Sequence, residues 1–414
     1  MSTRTDAQQI IQSALAACLP DAAVRRALEG KEFSGGRIYL VAAGKAAWQM
    51  AQCAAQMLGD RLTAGVVVTK YDHSKGEIPR CTVYEGGHPV PDENSFRGTR
   101  AAMDLVQNLT AEDTVVFLVS GGGSALFESP LVPGEDLARL TKDLLACGAD
   151  IVEMNTLRKR LSAVKGGKFA QLCAPAQVYA IVLSDILGDP LDMIASGPAY
   201  PDSSTREDAW AAVEKYNLSL TDEMKALLDV ETPKQLDNVE TVITGSVREL
   251  CAAAAQACRQ LGYEPTVLTD RLCCQAKEVG SFLASIAKSH EDSDHALAFL
   301  AGGETVVQLT GSGLGGRNQE LALAAAPGIA GMTDTVVYSL GSDGTDGPTD
   351  AAGGIVTGET AALLRAKGVD IDVALADNDA YHALSACNGL IMTGPTGTNV
   401  NDLTVLLIQK ECSP

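Results

Sequence analysis

Val115-Val-Phe-Leu-Val-Ser-Gly-Gly-Gly-Ser-Ala-Leu126 decides the fold. Its first part, together with Thr114, is the short β-branched and apolar run expected of a strand buried on both faces of a parallel sheet. The run then breaks into Ser120, Gly121, Gly122, Gly123 and Ser124. Glycines there let the backbone turn sharply and aim several N–H groups at an anion. A helix following the loop would add the pull of its positive end. The same residues also read as a plain tight turn of an α/β protein.

Other polar, glycine-rich loops share the pattern. Val41-Ala-Ala-Gly44-Lys45-Ala-Ala47 follows Ile38 to Val41, and Ser184-Asp185-Ile-Leu-Gly188-Asp189 follows Val178 to Leu183. Gly311-Ser-Gly-Leu-Gly-Gly316-Arg317-Asn318 precedes a helical pattern. Gly341-Ser-Asp343-Gly-Thr-Asp346-Gly-Pro-Thr-Asp350 follows Thr335 to Leu340. In open α/β sheets ligands sit beyond the carboxyl ends of strands, so such loops are expected to converge on one crevice.

The chain has 414 residues, enough for two domains that each bury a core. Only 4 % of residues are aromatic, so the core must be aliphatic. The net charge of −20, with no block of Lys or Arg, argues against nucleic acid and anionic membrane as partners. Eleven scattered cysteines without a Cys-x-x-Cys pair point to reduced thiols, mostly buried, in a cytoplasmic protein. The adjacent Cys273-Cys274 reads as packing or as a reactive nucleophile. No segment approaches the length of a membrane span, and Ile11, Leu15 and Cys18 share one face of a short helix.

Alternating patterns place strands near 37–43, 64–69, 82–85, 114–119 and 177–183, with helices between them. A polar stretch, Glu231 to Asn238, reads as a link. A second α/β run takes 241–244, 265–268, 296–300, 306–309, 335–340 and 403–408 as strands. The expected domains are therefore 1–236, with a Rossmann-like parallel sheet, and 237–414, with a second, mixed-sheet α/β arrangement. The N-terminal helix could pack on either.

Lys45, at the expected start of a helix, is placed against the helix dipole, which makes sense if an anion lies between them. Arg317 at a second helix start suits a bidentate carboxylate or phosphate. Asn155, Arg158 or Lys159, Ser162 and Lys165 recur at helical spacing, as a solvated face or a ligand-facing basic stripe. Asp185 and Asp189 follow a strand; Asp343, Asp346 and Asp350 share a glycine-rich loop. Oxygen donors of this kind suit Mg²⁺ or form turns, and Asp185 could act as base to a hydroxyl. His88 lies in a proline-stiffened loop with no second His at metal-ligand spacing. Asp92 or Ser95 is expected to cap the helix that follows. Gly311-x-Gly313-x-x-Gly316 matches a dinucleotide fingerprint, though late in the chain and outside a first βαβ unit.

Taken together, Ala42-Ala-Gly-Lys45-Ala, Gly87-His-Pro-Val-Pro-Asp92, Ser120-Gly-Gly-Gly-Ser-Ala125, Asn155-Thr-Leu-Arg158, Lys165-Gly-Gly167 and Leu183-Ser-Asp185-Ile-Leu-Gly-Asp189 form one set of motifs. Gly302-Gly-Glu304-Thr, Gly315-Gly-Arg317-Asn-Gln-Glu320, Ser342 to Asp350 and Gly397-Thr-Asn-Val-Asn-Asp402 extend it. In this order the set resembles the class II glycerate kinases, the glycerate 2-kinase family whose C-terminal module is called MOFRL. One departure is Arg160, where many relatives carry His.

The resemblance implies ATP- and Mg²⁺-dependent phosphorylation of D-glycerate to 2-phosphoglycerate, in a cleft between two α/β domains. It implies importance for Lys45 and Arg317, with Asp185 as the third catalytic candidate. The substrate- and nucleotide-binding candidates are Gly44, Ser120, Gly121, Gly122, Gly123, Ser124, Asn155, Arg158, Lys165, Asp189, Glu304 and Asn318. The metal candidates are Asp343, Asp346 and Asp350. Some relatives are called hydroxypyruvate reductase, which would demand a nicotinamide site. A non-catalytic metabolite-binding regulator is the third reading. The sequence leaves open whether the chain assembles as a homo-oligomer.

Overall fold

The structure, a computed structural model, describes residues 2–410. Its described residues divide into two compact units, one of 23–184 and 189–244, the other of 2–22, 185–188 and 245–410.

The first unit holds a six-stranded sheet of β1 (Ile38–Ala43), β2 (Leu62–Lys70), β3 (Cys81–Gly86), β4 (Thr114–Val119), β5 (Gln177–Leu183) and β6 (Val239–Gly245). Their spatial order is β3-β2-β1-β4-β5-β6, and the pairs from β3 through β5 are all parallel. Every residue of β1 and of β4 is buried, which the unbroken apolar runs demand. The aliphatic core is joined by one aromatic knot, Phe117, Phe127 and Phe169, with centroids 4.8 to 5.6 Å apart. This strand order is that of the Rossmann fold, and it reverses between β1 and β4. Backbone leaving those two strands on the carboxyl side is therefore uncovered by a crossover helix.

The second unit's sheet is mixed: β7 (Glu264–Leu272), β8 (Leu297–Gly303), β9 (Thr335–Gly341), β10 (Gly353–Thr357), β11 (Leu390–Ile391) and β12 (Asp402–Ile408). The order is β11-β10-β9-β12-β8-β7, with only β7 and β8 parallel. Alternation sorts its side chains: Val336, Tyr338, Leu340, Val405 and Leu407 pack toward helices Thr3–Ala17 and Val247–Gln260. Val337, Leu406 and Ile408 pack toward helices Ala276–Ser289 and Arg317–Ala325. The Tyr263 hydroxyl donates to Asp6 at 2.8 Å, tying the N-terminal helix to this unit. Among the described residues no helix is long and apolar enough to cross a membrane.

Three expectations need correction. Glu231 to Asn238, expected as a link, is sewn into the first unit. Thr232 Oγ1 donates to Asp202 at 2.8 Å, and Asn238 Nδ2 to the Ala170 and Ala176 carbonyls at 3.0 Å. β6 then joins the first sheet, not the second. Residues 306–309 make no strand, only a bridge from Val306 to Gln275, and Leu309 is 80 % exposed with nothing to cover it. β10 was hidden by Gly353-Gly354, which alternation cannot score; a Cβ on Gly353 would lie 2.0 Å from the Ser339 carbonyl oxygen.

Ile10 is fully enclosed in the second unit's core. Ile10→Ala is expected to destabilise that unit by about 2–4 kcal/mol. Hydrogen exchange should rise first in Val247–Gln260 and leave β1 and β4 unchanged; equal loss in both units would contradict the assignment.

Candidate active site

At the strand-order reversal the loops after β1 and β4 meet. The Gly44 N–H donates to the Val68 carbonyl at 3.1 Å, and the Lys45 N–H to the Gly121 carbonyl at 2.9 Å. Ser120 Oγ accepts the Ala46 N–H at 3.1 Å. Gly44 has φ 127, and a Cβ on it would lie 2.3 Å from Ser120 Oγ and 2.5 Å from its carbonyl oxygen. No other residue fits this close approach. The helix begins only at Ala47, so Lys45 sits in the turn before it. Its carbonyl accepts His73 Nδ1 at 2.9 Å, while its side chain is exposed.

The Lys45 side chain and the His88 ring flank Gly122. Partial burial lowers the His88 pKa, and the positive charges of Lys45, Lys70 and His73 lower it further. Four basic groups therefore surround one glycine-rich loop in a strongly acidic protein. Lys70 and His73 escaped sequence reading because one ends β2 and the other lies in the turn after it, outside any recognisable motif. The helix after the loop, Gly123–Leu126, is a single turn, so the expected contribution of a helix dipole is small.

The basic stripe resolves into support. Helix Ile151–Arg160 ends before Ser162 and Lys165. Lys165 is wholly buried; its ammonium donates to the Ser124 carbonyl at 2.8 Å and the Phe127 carbonyl at 3.1 Å, and lies 3.0 Å from Glu128 Oε2. Burial lowers its pKa to about 8, against the opposing pull of Glu128. Lys165 thus shapes the loop from behind and cannot touch a ligand as a binding residue. Asn155, 2 % exposed, accepts Ser196 Oγ at 3.1 Å, and Ser196 Oγ lies 3.0 Å from Ser124 Oγ. Ala195, Ser196 and Gly197 all have positive φ, a strained run packed on Gly123. Arg158 is half-buried, donates to the Ser124 carbonyl at 3.2 Å, and keeps a buried Nε without a partner. Arg160 is buried against Thr156, Ser204 and Glu231, so its departure from His is structural.

In the second unit a 230 Å³ pocket is lined by Asp185, Glu304, Arg317, Asp343, Asn401 and Asp402, with neighbouring backbone. Arg317 opens helix Arg317–Ala325. Its Nε and Nη2 donate to the two Asp402 oxygens at 2.5 and 3.0 Å, and Nη1 lies 3.3 Å from Glu304 Oε1. Burial lowers the guanidinium's pKa, but these carboxylates outweigh it and the net direction is up. Burial pushes the Asp402 carboxyl up to about 6 despite Arg317. The bidentate carboxylate expected of a ligand is therefore the protein's own. Asn401 donates to the Asp185 carbonyl at 3.2 Å, while its buried Oδ1 has no hydrogen-bond partner. Four carboxylates face one guanidinium here, so this pocket is acidic where a basic one was expected.

Several candidates do not join it. Asp346 is buried and caps the Arg317–Ala325 helix, accepting the Asn318 and Gln319 N–H groups at 3.1 and 2.9 Å. Asn318, 1 % exposed, is spent on Asp346 and Ser339. Asp350 takes the Tyr381 hydroxyl at 2.8 Å, whereas Asp343 does line the pocket and also receives the Thr345 N–H at 3.0 Å. The three-aspartate metal set is thus dispersed; among the described residues no three His, Cys, Asp or Glu converge as a metal nest. Asp189 lies in the first unit and Asp185 with the second. The Gly311–Gly316 stretch is no phosphate cradle. The N–H groups of Gly311, Ser312, Gly313 and Leu314 go to Asn378 Oδ1, Asp377 Oδ1, the Asp377 carbonyl and Asp379 Oδ1, at 2.8 to 3.0 Å.

Residues 6–229 match a domain of unknown function, DUF4147, and residues 297–402 match the MOFRL family. A D-glycerate 2-kinase of Thermotoga maritima is 50 % identical over 97 % of both chains. A crystal structure of glycerate kinase from that organism superposes with a TM-score of 0.94 at 50 % identity, covering 98 % of this chain and 99 % of the other. An Agrobacterium vitis protein provisionally named hydroxypyruvate reductase is 38 % identical over 99 % of this chain and 95 % of its own.

Removing one partner of a buried ion pair strands the other. Lys165→Ala is expected to cost about 3–5 kcal/mol in urea unfolding by isolating Glu128. The double change Lys165→Met with Glu128→Leu should recover most of that loss. A single variant of wild-type stability would show that the pair does not hold the loop.

Proposed function

This chain belongs to the MOFRL-containing glycerate kinase family and is a kinase, and we propose that it transfers the terminal phosphoryl group of ATP, with Mg²⁺, to the 2-hydroxyl of D-glycerate. The observation that carries the proposal is the exposed Lys45 side chain. It rises from a clamped backbone, where the sheet order reverses, among three other basic groups. Phosphoryl transfer asks a protein mainly for positioning and for fixed cations against developing negative charge. Lys45 supplies one such cation on a backbone that cannot drift. Arg317 supplies a second, oriented by Asp402 and Glu304.

Asp185 is the candidate base for the glycerate hydroxyl, because it faces the same pocket as Arg317. Arg158, with its unpartnered Nε, and the Ser124 hydroxyl offer a carboxylate seat. The hard oxygen donors of Glu304 and Asp343, with the unpartnered Asn401 Oδ1, fit Mg²⁺, which takes one or two carboxylates alongside phosphate oxygens and waters. Bound there, Mg²⁺ would neutralise phosphate charge. A hydroxypyruvate reductase would need a nicotinamide cradle, and in the Gly311–Gly316 fingerprint the N–H groups of Gly311 through Leu314 are already bonded within the protein.

The direct test mixes the protein with D-glycerate and ATP–Mg²⁺, and separately with hydroxypyruvate and reduced nicotinamide. ADP formation dependent on glycerate is the expected result; cofactor oxidation without it overturns the proposal. Excess EDTA should stop turnover and added Mg²⁺ restore it. Lys45→Ala should lower kcat on the order of a hundredfold while leaving Tm near wild type. As pH falls through about 6, protonation of Asp402 loosens its hold on Arg317, so kcat should fall with it. Asp402→Asn should remove that acid limb, and an unchanged profile would take the pair out of the mechanism.

A further inference from the structure

Cys273 and Cys274 are adjacent in the chain and both exposed. Burial sets most of the other described thiols apart: Cys81, Cys173, Cys251 and Cys258 have their pKa values raised to between about 11 and about 12, and Cys387 is raised too. Those thiols are held toward the protonated form, and Cys173, Cys251 and Cys258 are enclosed. The vicinal pair, read from sequence chiefly as packing, packs against nothing that excludes solvent.

Its position gives the pair a reach. The two residues follow β7 directly, and the backbone around them is laced to the segment that carries Glu304. The Leu272 carbonyl accepts the Glu304 N–H at 2.7 Å, and the Cys274 carbonyl accepts the Val306 N–H at 3.1 Å. Glu304 in turn lies 3.3 Å from Arg317. On the other side the Arg271 guanidinium packs over Gly188, in the short segment that carries Asp185.

We propose that Cys273 and Cys274 form a redox modification site, closed to a vicinal disulfide by hydroperoxides and reopened by thiols, that adjusts the Glu304–Arg317 side of the pocket. Adjacent Cα atoms lie about 3.8 Å apart. Ordinary disulfides span about 4.4–6.8 Å. Closing the ring therefore strains the 273–274 backbone, and a strained, exposed disulfide belongs to the labile, regulatory class. The strain is delivered where the Glu304 and Val306 N–H groups are held.

The chemistry balances with the hydroperoxide as oxidant. One thiolate sulfur attacks the peroxide oxygen, forming a sulfenic acid as the O–O bond breaks and water or an alcohol departs. The second sulfur attacks the first and displaces its hydroxyl as water. Two thiols lose two electrons and two protons, and the peroxide takes up both.

Trypsin cleavage after Arg271 and Lys277 isolates Leu272–Lys277, which contains both cysteines and no other. The full-length protein would be treated with dilute hydrogen peroxide, alkylated, digested and weighed. This peptide should lose two hydrogens, escape alkylation, and recover both properties after dithiothreitol. Turnover should fall on the order of tenfold and return with reduction. Cys273→Ser and Cys274→Ser should each keep basal turnover and lose the reversible inhibition. A peptide still fully alkylated, or linked instead to another cysteine such as Cys147, overturns the site. A disulfide that forms with no change in turnover overturns its coupling to Glu304. The turnover arm rests on the kinase reading, whereas the mass arm does not, so an enzyme inactive on glycerate even when reduced would count against that reading alone.

Discussion

The molecule turns on how closely two loops can approach. β1 and β4 lie side by side, and the backbone leaving each must bend away within a residue or two of its end. Gly44 makes the bend at φ 127, with Ser120 filling the space where a side chain would stand. Everything else near that corner serves this contact. The Lys45 N–H, the Ala46 N–H and the Ser120 hydroxyl lock the two loops together. Lys165 and Arg158 hold the far side through the Ser124 carbonyl. A flexible lysine gains function from such a base, because the cost of ordering its origin has been met by the fold.

The two units treat charge in opposite ways. Around Gly122 the first brings together ammonium and imidazole groups, and His88 has its pKa depressed by partial burial and then by the neighbouring positive charges. The second packs carboxylates around Arg317, and Asp402 is pushed upward by its burial. A bare anion suits the first environment. An anion carrying a divalent cation suits the second. The proposed phosphoryl transfer would draw on both kinds of surroundings.

Strong local patterns were legible in the sequence. Thr114–Val119 and Gln177–Leu183 were readable as strands because each carries a run of buried residues, unbroken from Thr114 to Val119 and from Val178 to Leu183. Lys45 and Arg317 stood out because cations at helix starts run against the dipole. What failed was partnership. Asp346 looks like a ligand in the chain, yet it is consumed by a helix that begins 29 residues earlier in sequence. Lys165 looks like a binding cation until Glu128 is found beside it. Asp402 carried no signal of its role, since its partner lies 85 residues away. Charges announce themselves in sequence; what neutralises them does not.

The helix Thr3–Ala17 has a consequence for the order of assembly. It is translated before the first unit, but the surface that shelters Ile10 and Ala14 belongs to Val247–Gln260 and the second sheet. The parallel sheet, complete once β6 has emerged, can close while the ribosome is still at work. Until Asp402–Ile408 has been made, that helix must wait with its apolar stripe incompletely covered, a natural client for a chaperone.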